Sequence, residues 1–150
     1  MKVKSLKKFL KDREIEADFY KLSGSTLTVD DAVKQLDVSP DRIVKSLVFK
    51  DEDNNPLLAI VPGDKQVDED KLSAACDKEV SMAKAREVEE FTGYKIGEVP
   101  PVDHNLSTFV DSKIVEFDTV IAGGGSTHTL VELSPRDIIE TTEAEIVDLT

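Results

Sequence analysis

Short segments in which apolar and polar residues alternate are typical of strands, and several occur along this chain. The clearest are KSLVFK (Lys45–Lys50) and LLAIVP (Leu57–Pro62), separated by the turn residues of Asp53–Pro56. Together they predict a β-hairpin over Ser46–Pro62. Further short strands are predicted at Thr108–Val110, Thr119–Ala122, His128–Leu133 and Glu145–Leu149.

Other segments carry the three- and four-residue apolar spacing of helices, together with residues that favour helix ends. Thr28 with Asp31 has the pattern of a capping box, and Gly93 is well placed to end a helix. The predicted helices cover Lys4–Glu14, Thr28–Leu36, Asp68–Cys76, Ala83–Phe91 and a segment that begins at Ser134-Pro135, with a further helical start at Ser39-Pro40. Because helices and strands mix without a strict βαβ repeat, we expect a mixed α/β (α+β) fold with helices packed around the sheet.

Composition narrows the class of protein. A chain of 150 residues is long enough for a single domain over residues 1–150, and its net charge of −12 argues against a nucleic-acid coat or an anionic-membrane protein. No apolar run approaches a membrane span, and the N-terminus lacks the apolar segment of a signal peptide, so a cytoplasmic protein is expected. The single cysteine, Cys76, excludes an intramolecular disulfide, and neither a metal nor a cofactor is expected.

Charge is unevenly distributed within this acidic chain. The first predicted helix carries five lysines and no acidic residue up to Lys11, namely Lys2, Lys4, Lys7, Lys8 and Lys11. Such a run is either a solvated helix face or a local cationic surface that contacts phosphates.

Lys45 is the first candidate for chemistry, because it falls in one apolar row with Ile43, Leu47 and Phe49 when the segment is a strand. Its ammonium must then extend to solvent at the strand edge, pair with a partner, or line a pocket. In a pocket it would bind an anionic or carbonyl group.

Two glycine-bearing segments are the next candidates. TGYKIGEVPP (Thr92–Pro101) can present backbone N–H groups to an oxyanion or can be a simple connection, and GGGSTH (Gly123–His128) leaves room for a ligand against bare backbone. Neither has the spacing of a Walker A or a dinucleotide-binding loop, and the chain has no GxSxG serine-hydrolase motif. His104 and His128 lack the cysteine or carboxylate partners of a zinc site.

The order of these motifs along the chain resembles the YbaK/EbsC family, the free-standing relatives of the editing domain of bacterial prolyl-tRNA synthetases. The resemblance runs from about Thr28 to Leu149 and rests on the following motifs: KSLVF, LLAIVPGD, VDEDKL, TGYKIGEVPPVDH, GGGSTH and LSPRDI. It implies a compact fold with a partly barrel-like sheet surrounded by helices. It also implies hydrolysis of the ester bond of mischarged aminoacyl-tRNA.

The resemblance assigns roles to individual residues. Lys45 matches the pocket lysine and Gly97 the glycine of the loop that cradles the substrate carbonyl, so both are expected to be catalytic. The residues expected to bind substrate are Ser46, Ile96, Pro100, His104, Gly123, Gly124, Gly125 and His128. Asp103 is a departure, because a common family variant has glycine there, and it puts the local turn and the orientation of His104 in question.

An ester to a tRNA ribose is already activated, so the protein needs only to place a water and stabilise an oxyanion. The expected substrate is a small amino acid such as alanine or cysteine on tRNA(Pro), with Met82, Ala59 and Val61 as pocket-wall or plain core residues. The expected partners are aminoacyl-tRNA and an aminoacyl-tRNA synthetase, without a membrane, and a monomer is expected. Phosphate contacts are expected from the lysines of the first helix and from Lys45, Lys50, Lys84 and Arg86.

Two other functions remain open from the sequence. One is a module of the same fold that binds aminoacyl-tRNA or a synthetase without hydrolysis, which Asp103 favours. The other is a hydrolase of a different aminoacyl ester or amide.

Overall fold

The computed structural model describes residues 2–23, 28–126 and 128–150. Its helices are α1 (Lys2–Asp12), α2 (Val29–Leu36), α3 (Glu69–Cys76), α4 (Ala85–Thr92) and α5 (Pro135–Thr142). Its strands are β1 (Ala17–Lys21), β2 (Val44–Asp51), β3 (Pro56–Pro62), β4 (Val80–Met82), β5 (Ser107–Asp111), β6 (Val120–Ser126), β7 (Thr129–Leu133) and β8 (Glu145–Val147).

The strands form two sheets. The larger has the order β4-β2-β3-β5-β8 and is mixed, because β2 is antiparallel to β3 and β4 while β5 is parallel to β3 and β8. The smaller sheet, β1-β7-β6, is antiparallel, and a parallel bridge between Ile43 and Ile121 connects the two. The predicted mixed α/β fold is confirmed.

The predicted hairpin is confirmed as β2 and β3, with Lys45 opposite Val61 and Ser46 opposite Ile60. The Asp51 carboxylate closes its turn by accepting the N–H groups of Asp53 and Asn55, each at 2.9 Å. This turn fixes the register of β2, and the register places Lys45 and Ser46 on opposite faces of the sheet.

Both faces of the hairpin are covered. Val44 and Val48 of β2 belong to the main core with Leu58 and Ile60, whereas Phe49 belongs to a second cluster on the other face, with Leu57, Ala59, Val61 and Leu72. Ala59, Val61 and the half-buried Cys76 therefore pack as core residues. A third cluster, around Ala32, Ile43 and Ile121, packs α2 beside the bridge between the sheets.

The sequence analysis located the helix ends well. Thr28 forms a capping box with Asp31, Asp68 and Ser134 cap α3 and α5, and Gly93 ends α4 with φ at 78°. The segment after Ser39 is a 3₁₀ turn over Pro40–Arg42 rather than a longer helix.

Three strand assignments needed correction. β1 and β4 were missed, because an edge strand of five residues and a strand of three carry little periodicity. The glycine run was expected to break the chain, but Gly123–Gly125 lie inside β6. They pair through main-chain groups, which a pattern of side chains does not reveal, and the register shifts between Gly123 and Ser126.

Candidate functional site

A pocket of about 340 Å³ opens where β2 meets the smaller sheet. Its walls are the start of α2, the first half of β2, the segment from β4 into α4, the turn at residues 96–99, and one residue each from β6 and β7. The lining residues are Thr28, Val29, Ala32, Ile43, Val44, Lys45, Ser46, Leu47, Val48, Met82, Ala83, Val88, Ile96, Gly97, Val99, Gly123 and Leu130. The pocket is therefore mostly apolar, with polar groups concentrated on β2 and the turn.

Lys45 lines this pocket. Its side chain is half-buried, and its ammonium donates to the carbonyl oxygen of Lys65 in the loop after β3. Burial lowers the pKa of the Lys45 ammonium, and the nearby carboxylate of Asp64 partly opposes that effect. Lys45 therefore reaches out of its apolar row to one main-chain acceptor and keeps donors for a ligand.

Ser46 is the neighbouring polar group of the pocket wall. Its hydroxyl oxygen is buried and has no hydrogen-bond partner among the residues that the structure describes. A buried hydroxyl without a partner costs about 1–3 kcal/mol of folding free energy. Ser46 thus leaves one buried polar atom unsatisfied beside the pocket.

The turn at residues 96–99 forms the opposite rim. Gly97 has φ at +84°, and a β-carbon built there would meet no atom within 4 Å. The Glu98 N–H closes the turn by donating to the Lys95 carbonyl at 2.9 Å, and the Gly125 N–H donates to the Glu98 carbonyl at 3.2 Å. Bare backbone at Gly97 therefore faces open space while the turn itself is anchored to β6.

The glycine run of β6 makes that anchoring possible. A β-carbon on Gly123 would lie 2.9 Å from the Val99 carbonyl oxygen, and one on Gly124 would lie 2.9 Å from the Thr129 side chain. Gly123 lines the pocket, whereas Gly124 and Gly125 lie outside its lining; Gly125 is bonded to Glu98 of the turn and Gly124 packs against Thr129 of β7. The run thus acts through close backbone packing.

The segment that follows this turn, residues 100–106, lies outside the pocket lining. His104 is 5% exposed, with Nε2 2.9 Å from the Pro101 carbonyl oxygen, and its Nδ1 accepts the Leu106 N–H at 3.1 Å. These partners place the ring proton on Nε2. Burial lowers the pKa of the His104 imidazole, and the Pro101 carbonyl and the Asp103 carboxylate partly oppose it. His104 and the buried Pro100 hold the loop rather than line the pocket.

Asp103 occupies the position where the related motif has glycine, and its backbone conformation shows how aspartate fits there. Its φ is 64°, a left-handed conformation that favours glycine but that aspartate also adopts. Its carboxylate accepts the Tyr94 hydroxyl at 3.0 Å, and burial together with Asp103 raises the pKa of that phenol. Aspartate therefore adopts the left-handed conformation of this turn, directly before His104.

His128 lies at the turn between β6 and β7, away from the residues that line the pocket. Its carbonyl accepts the Leu22 N–H at 2.8 Å, while its Nδ1 is buried without a partner in the described part of the chain. The structure therefore brings together Lys45, Ser46, Ile96, Gly97 and Gly123 of the predicted site residues. The five that it places elsewhere are Pro100, His104, Gly124, Gly125 and His128.

Sequence reasoning missed the contribution of α2 and of Ile43 and Val44 to the pocket. Their apolar character gave no signal beyond that of a core. Met82, predicted for the wall or the core, is 49% exposed at the pocket.

Within the described residues no group of His, Cys, Asp or Glu could hold a metal ion, and no helix described is long and apolar enough to cross a bilayer.

Comparison with known proteins agrees with this geometry. The sequence profile of the "Aminoacyl-tRNA editing domain" matches residues 24–141. The "Uncharacterized protein YwhH" of Bacillus subtilis (strain 168) is 31% identical over 93% of this chain and 90% of its own length. The "Putative Cys-tRNA(Pro)/Cys-tRNA(Cys) deacylase EbsC" of Enterococcus faecalis is 26% identical over 85% of this chain and 80% of its own length.

The larger relatives and the solved structures point in the same direction. A proline–tRNA ligase of Lactobacillus helveticus is 33% identical over 73% of this chain, which spans 20% of that ligase. A crystal structure described as a "putative trans-editing enzyme for prolyl tRNA synthetase" superposes with a TM-score of 0.89 at 29% identity, covering 99% of this chain and 96% of that one. The resemblance to the YbaK/EbsC proteins is confirmed, and the chain belongs to the aminoacyl-tRNA editing domain family.

Proposed function

We propose that this protein hydrolyses the ester bond of mischarged aminoacyl-tRNA in trans, with a small amino acid such as alanine or cysteine on tRNA(Pro) as substrate. One observation carries the proposal. Lys45, Ser46 and Gly97 all line one pocket of about 340 Å³, and the buried Ser46 hydroxyl has no hydrogen-bond partner in the described part of the chain.

Hydrolysis of an aminoacyl ester needs no nucleophilic side chain, because water is the nucleophile. Water adds to the ester carbonyl carbon, the bond from that carbon to the ribose oxygen breaks, and the ribose oxygen takes up a proton. The products are a free amino acid and a tRNA with a free hydroxyl. Rate enhancement then comes from holding the ester and the water in place and from stabilising the oxyanion.

The pocket supports a division of these tasks. The backbone at Gly97 borders open space, where a main-chain N–H group would donate to the carbonyl oxygen as it develops negative charge, and preorganised donors of this kind stabilise such charge. Lys45 would orient the carbonyl or the terminal ribose–phosphate with the donors that Lys65 leaves unused. The ribose hydroxyl beside the ester would help to position the water.

Selection of the amino acid would follow from the size of the pocket. Apolar pockets discriminate single methylenes by only about 1–3 kcal/mol, which is why separate editing activities are useful. Alanine and cysteine are proposed because the pocket is small and largely apolar, and because the E. faecalis relative is named for Cys-tRNA(Pro). The similarity to part of proline–tRNA ligases supports tRNA(Pro) and a synthetase as partners.

Not all of the expected phosphate-binding lysines are free to bind tRNA. The Lys50 ammonium pairs with Glu87 at 2.7 Å, Lys8 pairs with Asp12 at 2.9 Å, and Lys7 stacks on the ring of Phe19. Lys84 and Arg86 are exposed at the start of α4, close to the pocket residue Ala83, and Arg86 has an exposed ion pair with Glu90 at 3.9 Å. We therefore assign the phosphate contacts chiefly to the cations nearest the pocket.

The test is deacylation of tRNA(Pro) charged separately with alanine, cysteine, serine and proline. Lys45→Met keeps the aliphatic length and removes the charge, so we expect a loss of about 100-fold or more in kcat/KM with little change in stability. Lys65→Ala is the matched control, because it removes a neighbouring charge but keeps the carbonyl that receives the Lys45 ammonium.

An unchanged rate in Lys45→Met would contradict the role of the lysine. Absence of hydrolysis with all four substrates, accompanied by binding of the charged tRNAs, would favour the binding module instead. The left-handed conformation of Asp103 and its hydrogen bond with the Tyr94 hydroxyl support hydrolysis over that alternative. Hydrolysis of simple aminoacyl esters as fast as of charged tRNA would indicate the other function left open by the sequence, a hydrolase of a different aminoacyl ester or amide.

A further inference from the structure

Three side chains from separate segments of the chain converge on the carboxylate of Glu132 in β7. Its Oε1 accepts the Tyr20 hydroxyl of β1 at 2.5 Å, and its Oε2 accepts the Thr119 hydroxyl and the Arg42 guanidinium. Arg42 also donates to the hydroxyl and the carbonyl oxygen of Thr119, at 2.7 and 3.2 Å. The hydrogen bonds from Thr119 and Tyr20, with the charge of Arg42, lower the pKa of the Glu132 carboxyl, and burial partly opposes them. We call these four residues the Glu132 cluster.

The Glu132 cluster joins the two sheets beside the pocket. Arg42 ends the 3₁₀ turn that leads into β2, whereas the other three members belong to the smaller sheet or, in the case of Thr119, directly precede it. The next residue, Ile43, forms the parallel bridge to Ile121 and lines the pocket. The Glu132 side chain is only 15% exposed, so water screens its ion pair with Arg42 only weakly. Arg42 therefore holds the start of β2 against the smaller sheet.

The same segment also holds the loop that receives the Lys45 ammonium. The Gly63 N–H donates to the Ile43 carbonyl at 2.5 Å, and a β-carbon on Gly63 would lie 2.6 Å from that oxygen, so no side chain fits between them. Two residues later, the Lys65 carbonyl accepts the Lys45 ammonium. The position of this acceptor therefore depends on Ile43, and the position of Ile43 depends on Arg42.

We infer that Arg42 is a positioning residue, which fixes the Lys45 ammonium at the pocket through Ile43 and the loop at residues 63–65. The expected effect on catalysis rests on the proposed function, whereas the expected effect on the Lys45 side chain does not. Arg42 lies outside the pocket lining, so it acts through Lys45 rather than on a substrate. Its planar guanidinium can bond to Thr119 and Glu132 together, which the single ammonium of a lysine does less well.

Titration of the Lys45 side chain tests this inference without any hydrolysis. The NMR resonance of the Lys45 ε-carbon, assigned by its absence in Lys45→Met, is followed against pH. Burial lowers the pKa of the Lys45 ammonium. A misplaced side chain is better hydrated, so this pKa should rise towards its ordinary value in Arg42→Gln. Arg42→Lys should give an intermediate pKa.

Two further variants separate position from charge and from general stability. The double variant Arg42→Gln with Glu132→Gln removes one charge of each sign and leaves no carboxylate without its cation, and the pKa of Lys45 should rise in it as well. Lys78→Gln is the matched control, because it breaks an ion pair with Asp53 between distant segments outside the pocket lining. The pKa of Lys45 should not change in Lys78→Gln.

Deacylation kinetics are the second readout. Because Lys45 is displaced and not removed, Arg42→Gln should lower kcat about tenfold and change KM by less than about twofold. Arg42→Lys should recover part of the lost kcat, and Lys78→Gln should keep both constants.

An unchanged Lys45 titration in Arg42→Gln and in the double variant would overturn the inference. Equal changes in Arg42→Gln and Lys78→Gln would overturn it too, because they would reflect a general loss of stability. A shifted titration that is specific to the Glu132 cluster, in a protein that deacylates no charged tRNA, would overturn the proposed hydrolysis and leave the positioning role of Arg42 standing.

Discussion

The two halves of the loop from Tyr94 to Leu106 differ in how their groups are bonded. The first half, around Gly97, presents bare backbone to open space at the pocket rim. In the second half the side chains are tied to the loop itself, through His104 to Pro101 and Leu106 and through Tyr94 to Asp103. The first half can meet a substrate because the second half, together with β6, holds it in place.

This contrast separates two kinds of residue that look alike in a motif. Gly97 and His104 stand seven positions apart in TGYKIGEVPPVDH, and both match positions of functional interest in related proteins. The structure gives Gly97 access to the pocket and gives His104 two main-chain partners inside the loop. A motif can therefore combine a residue that meets the substrate with one that supports it.

Replacement of His104 should have the largest effect on stability. His104→Ala removes two hydrogen bonds from a buried site and leaves a cavity, so the free energy of unfolding should fall by about 2–4 kcal/mol in urea denaturation. His104→Asn can still accept the Leu106 N–H and should lose less. Full stability of His104→Ala would show that the second half of the loop is not held by this ring.

Gly97→Ala should have the opposite effect to His104→Ala, with a small loss of stability and a large loss of activity. The new β-carbon meets open space, so the fold should lose only about 1–2 kcal/mol for the positive φ, while kcat/KM for deacylation should fall about tenfold or more. Asn105→Ala is the matched control, because Asn105 is exposed and also has a positive φ, at 58°, but lies in the tied half. Equal activity losses in the two variants would remove the proposed distinction.

The smallest expected effect is on pH dependence. The pKa of His104 is lowered in the folded protein, so the unfolded chain binds its proton first as pH falls below about 6.5. This part of the stability is complete above pH 6.5 and is lost as the pH falls toward the folded pKa.

Carboxyl groups with lowered pKa values, such as those of Glu87, Glu132 and Asp148, lose their contribution mainly below about pH 4.5. Urea titrations between pH 7 and pH 5 should therefore show a steeper loss of stability in the wild-type protein than in His104→Asn. Parallel profiles would contradict the buried neutral imidazole.

Local chemistry was predictable from sequence where a few neighbouring residues decide it. The capping box at Thr28, the left-handed end of α4 at Gly93 and the hairpin of β2 with β3 depend on short-range patterns, and all three are present. The predicted alternation of side chains, which put Lys45 on the same face as Leu47 and Phe49, is also present in β2. The order of motifs was enough to indicate the family.

What the tertiary structure decided is which groups share a space. Whether Gly123 gives room to a ligand or to the Val99 carbonyl depends on a segment 24 positions away, and no local pattern contains that contact. The same holds for Met82 and Ile96, which are ordinary apolar residues in the sequence and line one pocket in the fold. The sequence determined the helices and strands, their ends and the reactive groups available. Long-range packing determined that the Gly97 backbone borders the pocket, that the His104 ring is bonded within the loop, and where the pocket opens.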